Sequence, residues 1–480
     1  MKFGVRIGLV AGMLGVLAAS QARAATQNQW VQYGPNNTVL LRSVSPTDTA
    51  CPAASIDGTA VTLSPRFTAA QDATATGGNF SAGVNTVLMC EASMPINYAQ
   101  HVATIDGVAL KMPVATPKRI LFVGDTGCRV NGSANQACND PVQFPLAFLA
   151  SYAAIFKPDL IVHDGDFYYR ERACPAGDGG CAGSPTGDNW TSWDAEWFGP
   201  AKPLIAAAPL AITRGNHESC GRGAKGWFSL LDVHPYDTAA VSCTGPTNHT
   251  GPLTAHDYTD PYFVAAGQVQ LMMFDSSIAN DSTPDSTVGP IFANQITTAL
   301  GTLPANADVL YVTHKPTYAI LAQSGTNYSG GDATEQSVFE SLGGVPAQIK
   351  LLVSGHDHQF QMVNLSSASS QRYAPQMVIG NSGTLLDNQA INNPNVGDHQ
   401  TFTPDTTGNA AGGTYNIATS STTTASIGTV TGSADRAQYG FAVLDATSNG
   451  YVANVYTLGS NRSARCVVTF APFRNMACAH

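Results

Sequence analysis

Six short apolar runs between Lys118 and Ser354 constrain this chain more than any other feature: ILFV (120–123), LIV (160–162), LAIT (210–213), VQLMMF (269–274), VLYVT (309–313) and LLVS (351–354). They are too short for helices and too continuously apolar for strands with one wet face, so they read as strands buried on both faces. Between them, residues 143–156, 190–198, 292–300 and 335–342 carry helical patterning with no glycine inside. Strands alternating with helices specify an α/β layer fold. From Ala25 to Pro117 the texture differs, with short alternating runs such as Val39-Leu40-Leu41 and Val87-Leu88-Met89 set between Pro, Asn, Gly and Asp. That pattern predicts a small, all-β, sandwich-like domain over 25–117.

The main domain is expected over 118–458. Past Gly380 the composition turns to Thr, Ser, Asn and Gly, so residues 392–434 read as a polar surface insertion. Apolar patterning returns at Tyr439–Leu444 and Tyr451–Tyr456, a hairpin around Ser448-Asn449-Gly450, and 459–480 is left as a tail with a cysteine pair. Lys2 and Arg6, the apolar run from Ile7 to Ala19, and Ala22-Arg23-Ala24 read as a secretory signal peptide over 1–24. A periplasmic or secreted destination follows, with the two equally open. No later stretch approaches the ~18 continuous apolar residues of a membrane span. The 10 cysteines all follow the cleavage site, an even number that suits disulfides in an oxidising compartment. Sequential pairing is one solution, and a bridge between Cys128 and Cys220 is its rival. A net charge of −10 leaves no broad positive field for a nucleic-acid backbone.

Five of the six buried runs are followed by residues able to bind metal. The segments are Gly124-Asp125-Thr126-Gly127, Gly165-Asp166-Phe167-Tyr168-Tyr169, Gly215-Asn216-His217-Glu218, Thr313-His314, and Gly355-His356-Asp357-His358. Only VQLMMFD breaks the pattern, and Asp275 there reads as structural. Carboxyl ends of parallel strands gather at one edge, so these side chains should converge. Two cations held close together need a bridging carboxylate, further oxygen donors for the harder ion and imidazoles for the softer one. This chain offers that mixture.

The ordered series over Lys118–His358 resembles the calcineurin-like metallophosphoesterase superfamily, and within it the purple acid phosphatases. Many superfamily members place a histidine two residues after the first aspartate, whereas this chain has Gly127 there and supplies Tyr169 three residues after the second. The resemblance implies a four-layer α/β/β/α sandwich. It implies Asp125, Asp166, Tyr169 and His358 as ligands of an iron(III) site, and Asp166, Asn216, His314 and His356 as ligands of a divalent zinc, manganese or iron site, with Asp166 bridging. It also makes His217 the general acid, with Glu218 as its orienting partner or a helix cap. Two metals about 3.5–4 Å apart would clamp a phosphate oxygen, acidify a bound water and stabilise the leaving oxygen.

Arg170, Arg129 and Arg222 lie close to these segments and suit a phosphate or a second anionic group, while Glu171 lies beside them. Some of Trp190, Trp193, Trp197 and Trp227 could wall the substrate cleft, and the rest pack in the core. The expected activity is hydrolysis of phosphate monoesters on small substrates. A phosphodiesterase acting on nucleotides or lipid headgroups is a second reading, and a surface binding protein that keeps the fold without turnover is a third.

Overall fold

All six apolar runs are strands, and they divide between two sheets. The computed structural model describes residues 28–67, 87–132, 134–243, 253–324, 327–366, 372–387, 414–420, 423–436, 438–458, 460–471 and 474–479. Arg119–Val123, Leu160–His163 and Leu210–Ile212 run parallel in the first sheet. Val269–Met273, Asp308–Val312 and Ile349–Ser354 run parallel in the second. Side chains alternate across each strand, and in the second sheet both sides are used. Leu271, Met273, Leu310, Val312, Leu351 and Val353 pack into one core with Leu121, Phe122, Ile161 and Ala211 of the first sheet. Their sequence neighbours Met272, Val309, Tyr311 and Leu352 pack in a second core with Phe292, Ile296 and Phe339, which stand on the helices Val288–Gly301 and Ala333–Ser341.

On the first sheet lies the helix Leu146–Ala154, with Tyr152 meeting Phe441 edge to face at 5.4 Å between ring centroids. The layers are therefore helix, sheet, sheet, helix, as the family resemblance implies. Each fully buried Leu, Ile, Val or Phe in this sandwich contributes roughly 1.5–3 kcal/mol. The fourth expected helix is Trp190–Trp193, continued by a π-helical turn over Asp194–Phe198.

The amino-terminal region is all-β, but it does not stand apart. Asn28–Gly34 pairs in parallel with Leu210–Ile212 through Gln32 and Leu210, and Thr38–Ser45, Leu88–Pro95 and Ser64–Pro65 follow it outward. These four strands thus extend the first sheet past the boundary expected at residue 117. A four-stranded sheet, Thr59–Val61, Ala54–Ile56, Val102–Ile105 and Val108–Lys111, covers them. Between the two sits a separate core of Val31, Leu41, Ile56, Ala103, Ile105 and Leu110, which is the expected sandwich.

At the opposite edge, the hairpin Gly440–Thr447 and Gly450–Thr457 pairs with Arg119–Val123. The segment expected as a tail adds Ser460–Thr469 and Asn475–Ala479 to that edge, with Cys466 opposite Cys478. The polar stretch also differs from expectation. Thr414–Ala418 and Thr424–Arg436 are strands of the second sheet, the latter paired with Phe360–Ser366. Main-chain ladders hold a strand with little apolar content, and the alternation that marks the first of them is Tyr415 and Ile417, both buried. Residues 392–413 of that stretch, and the amino-terminal segment 1–24, lie outside the described residues.

Five disulfides join Cys51 to Cys90, Cys128 to Cys138, Cys174 to Cys181, Cys220 to Cys243, and Cys466 to Cys478. The pairing is sequential throughout. Among the described residues no helix is long and apolar enough to cross a membrane.

Candidate metal centre

The parallel strands of both sheets end at one edge, and the turns that follow them carry the site. Three of the site residues, none of them glycine, hold left-handed backbone: Asp125 with φ 54°, Asp166 with φ 59° and His356 with φ 71°. Such residues are costly by about 1–3 kcal/mol each and persist where packing over-determines them. Here the turn must aim a carboxylate or imidazole inward immediately after a buried strand.

All seven residues expected as ligands come together, in two groups that share Asp166. Tyr169 Oη lies 2.8 Å from both Asp125 Oδ1 and Asp166 Oδ2, and 3.1 Å from His358 Nε2. In the second group Asn216 Oδ1 is 2.8 Å from His314 Nε2 and 3.0 Å from His356 Nδ1. His314 Nε2 is also 3.2 Å from Asp166 Oδ2.

These atoms fit cations. His314 Nδ1 meets the main-chain oxygen of Asp164 at 3.0 Å, and His358 Nδ1 meets that of Leu385 at 2.8 Å. Each therefore carries its proton on Nδ1. His314 turns its Nε2 lone pair toward the oxygens of Asn216 and Asp166, which repel it unless a positive ion lies between. His358 turns its own toward Tyr169 Oη, whose single proton cannot serve His358 and two carboxylates at once. Electrostatics says the same. Burial and the neighbouring Asp166 and Asp164 carboxylates push the Asp125 carboxyl well above its usual range. Burial, then Asp125 and Asp166, push the Tyr169 phenol up as well. Burial would also raise Asp166, but His314 and His217 outweigh it and hold that carboxyl well below its ordinary value. A bound cation reverses the penalties on Asp125 and Tyr169. The phenol and carboxylates of the first group suit a hard ion, and the imidazoles of the second a borderline one.

Two buried carboxylates hold the loop that bears Asp166 and Tyr169. Glu218 accepts main-chain N–H bonds from Asp166 and Gly215, both at 3.0 Å, from Phe167 at 2.8 Å and from Tyr168 at 2.9 Å. Its bond from Gly215 N caps the short 3-10 turn Asn216–Glu218, one of the two roles the sequence suggests for it, and it does not orient His217. Burial and Asp166 push its carboxyl up to about 8, with the amide donors pulling the other way. Glu196, which no sequence motif marks, accepts from Tyr169 N at 3.1 Å and from Cys128 N. A Cβ at Gly127 would stand 2.8 Å from both Glu196 Oε2 and the Tyr169 ring. Tyr169 and Glu196 thus fill the space a side chain at 127 would need, which explains the glycine there.

His217 packs on Tyr169 with the rings tilted by 36° and 3.9 Å between centroids, and stands 3.8 Å from Asp166 Oδ2 through Nε2. Its Nδ1 is 2.9 Å from Glu171, which in turn is 2.6 Å from Arg222 Nε. Arg222 is therefore committed to Glu171. Arg170 is buried 3.4 Å from Glu196. Burial first, and Arg129 after it, disfavour the charged form of His358 against the opposing pull of Asp387. The four tryptophans Trp190, Trp193, Trp197 and Trp227 are all buried in the main core, so none walls a cleft. Asp275 is structural, accepting from Thr259 N at 2.9 Å and Ser277 N at 3.0 Å. The signal that could have exposed Glu196 is an acid within the aromatic run Trp193–Phe198, since an acid in a buried helix needs donors.

A model of the calcineurin-like phosphoesterase family matches residues 118–360, just over half of the chain. No curated protein matches it. Among solved structures the chain is similar to the purple acid phosphatase PPD1 of yellow lupin (Lupinus luteus), with a TM-score of 0.54 and 12% identity over 90% of this chain and 72% of that one. A structure of PhoD aligns over 95% of this chain and 89% of its own, at 10% identity and a TM-score of 0.47. The lupin likeness is one of fold, and together with the family match over the site segments it leads to one conclusion: the chain belongs to the calcineurin-like phosphoesterase family and is a metal-dependent phosphoesterase.

Proposed function

We propose that this protein is an exported acid phosphatase that hydrolyses phosphate monoesters at an iron(III) and divalent metal pair. The observation that carries the reading is Tyr169 Oη, set between Asp125, Asp166 and His358. Asp125, Asp166, Tyr169 and His358 hold the iron(III), and Asp166, Asn216, His314 and His356 hold zinc, manganese or ferrous iron. When bound, the two ions supply Lewis acidity that polarises a phosphoryl oxygen and acidifies a water.

The chain's own residues do the rest. His217 presents Nε2 to the substrate side and gives a proton to the leaving oxygen as the ester bond breaks opposite the attacking water. Glu171, pinned by Arg222, keeps the His217 ring in place through Nδ1. Arg129, less committed than Arg170 or Arg222, contacts the phosphate or a second anionic group. The substrate is a small phosphorylated molecule. Five disulfides support export, because such bonds persist in oxidising compartments.

The test is the initial rate on a chromogenic phosphate monoester beside the matching diester, with metal content assayed and restored. A strong monoester preference is expected. A diester preference would replace this reading with a phosphodiesterase, and absence of turnover on both would point to a binding protein.

A further inference from the structure

Val269–Met273 is the central strand whose exit carries no ligand, yet its loop still reaches the site. Six residues past Asp275, the side chain of Asp281 places Oδ1 3.3 Å from His356 Nε2 and 3.0 Å from Lys315 Nζ. Lys315 directly follows His314 and is fully buried. Its ammonium also reaches the main-chain oxygen of Ala279 at 2.6 Å and stands 3.9 Å from Asp332 Oδ2. A buried ammonium demands a carboxylate partner, so Lys315 anchors Asp281. The loop itself is tied down where Ala333 N donates to the Asp281 carbonyl at 3.2 Å.

A neutral imidazole carries one proton, and the group facing one nitrogen decides which nitrogen that is. Main-chain carbonyls place the proton of His314 and His358 on Nδ1 and leave Nε2 for the site. His356 is turned the other way: Nδ1 faces Asn216 Oδ1 at 3.0 Å and Nε2 faces Asp281. Of these three histidines it alone has left-handed backbone, so its ring is the one most in need of an outside hold.

We infer that Asp281, backed by Lys315, is a positioning residue for the divalent site, fixing His356 as the Nε2–H tautomer with Nδ1 presented as a ligand. The inference rests on the dimetal reading above. A carboxylate behind a ligating histidine orients the ring and raises its basicity, and losing it weakens metal binding by about 10–100-fold.

The experiment uses the full chain as wild type, Asp281→Ala and Asp281→Glu. In the metal-free proteins, ¹⁵N shifts of labelled histidine report the His356 tautomer: Nε2-protonated in wild type and Asp281→Glu, mixed in Asp281→Ala. Zinc titrated into the iron-loaded proteins should bind about 10–100-fold more weakly to Asp281→Ala, with iron content and visible absorption unchanged. The double variant Asp281→Ala, Lys315→Met removes the ammonium with its partner, so a defect persisting there belongs to His356 and not to an unpaired lysine. An unchanged tautomer and zinc affinity in Asp281→Ala, or a full recovery of both in the double variant, overturns the inference. A wild-type chain that holds fewer than two ions overturns the dimetal reading itself and the inference with it, and the metal-free tautomer measurement tells the two failures apart.

Discussion

On the proposed reading, Tyr169 is the residue that separates this site from a generic two-metal phosphoesterase. Its phenol is buried between two carboxylates that disfavour its ionised form, and ionisation follows only when a hard cation replaces the proton. Tyr169→Phe should therefore abolish any tyrosinate-to-iron absorption while Asp125, Asp166 and His358 still retain iron. Visible spectra beside iron assays check this, and colour that persists would remove Tyr169 from the ligand set. Residue by residue, the coming together of the seven expected ligands was legible because each follows a buried strand within a few positions. The partners of His217 were legible only in part, since Glu171 stands among the charged residues noted near the site but its contact with His217 depends on a loop path. Arg170 shows the same limit. Its position beside Tyr169 suggested substrate, yet it is spent on Glu196.

At the scale of elements, the loop 166–170 is rigid because two acids converge on its main chain. Glu218 gathers four N–H groups, three of them consecutive. In Glu218→Gln one oxygen becomes an amide donor facing donors, so above about pH 8, where Glu218 is ionised, stability of the metal-free protein should fall by about 1–3 kcal/mol, with metal content falling as well. Urea unfolding with and without chelator measures both, and a neutral effect would show that the loop holds itself. The neighbouring Gly215 has no freedom either, since a Cβ there would lie 2.1 Å from Asp166 Oδ1. Of these contacts only the bond to Gly215, three residues back, could be read from local pattern. A glutamate after Asn216-His217 looks like a partner for the histidine, and only the chain's return past residue 166 reveals the other amides it serves.

On the scale of the molecule, the amino-terminal strands are locked to the main domain by a charged cluster. Arg42 and Arg66 both pair with Glu91, at 2.9 and 2.8 Å. The two guanidinium groups also reach main-chain oxygens at Phe228, Leu231, Asp232 and His234. Burial would raise the Glu91 carboxyl, but the two arginines outweigh it and hold it below its ordinary value. A depressed folded-state value means that this stability is present above the unfolded value near 4.5 and is lost as pH falls through the folded one. Glu91→Gln should thus cost about 3 kcal/mol near neutrality by leaving two buried cations uncompensated, and the difference from wild type should shrink below about pH 4.5. Thermal unfolding across pH checks the sign, and a constant difference would exclude ionised Glu91 as the source.

The sequence by itself determined the six central strands, the α/β class, the convergence of the ligand segments and the sequential disulfide option, because buried strands and the turns after them are written in local runs. Only the tertiary structure decided how the six strands split between two sheets, that the amino- and carboxyl-terminal strands join one of them, and that Thr414–Ala418 and Thr424–Arg436 are sheet. It also decided which expected ligands the acids Glu196, Glu218 and Asp281 stand behind, and that Glu171 stands behind His217. Edge strands and supporting carboxylates are defined by main-chain hydrogen bonds to distant segments, and such bonds leave no periodic trace in the residues that make them.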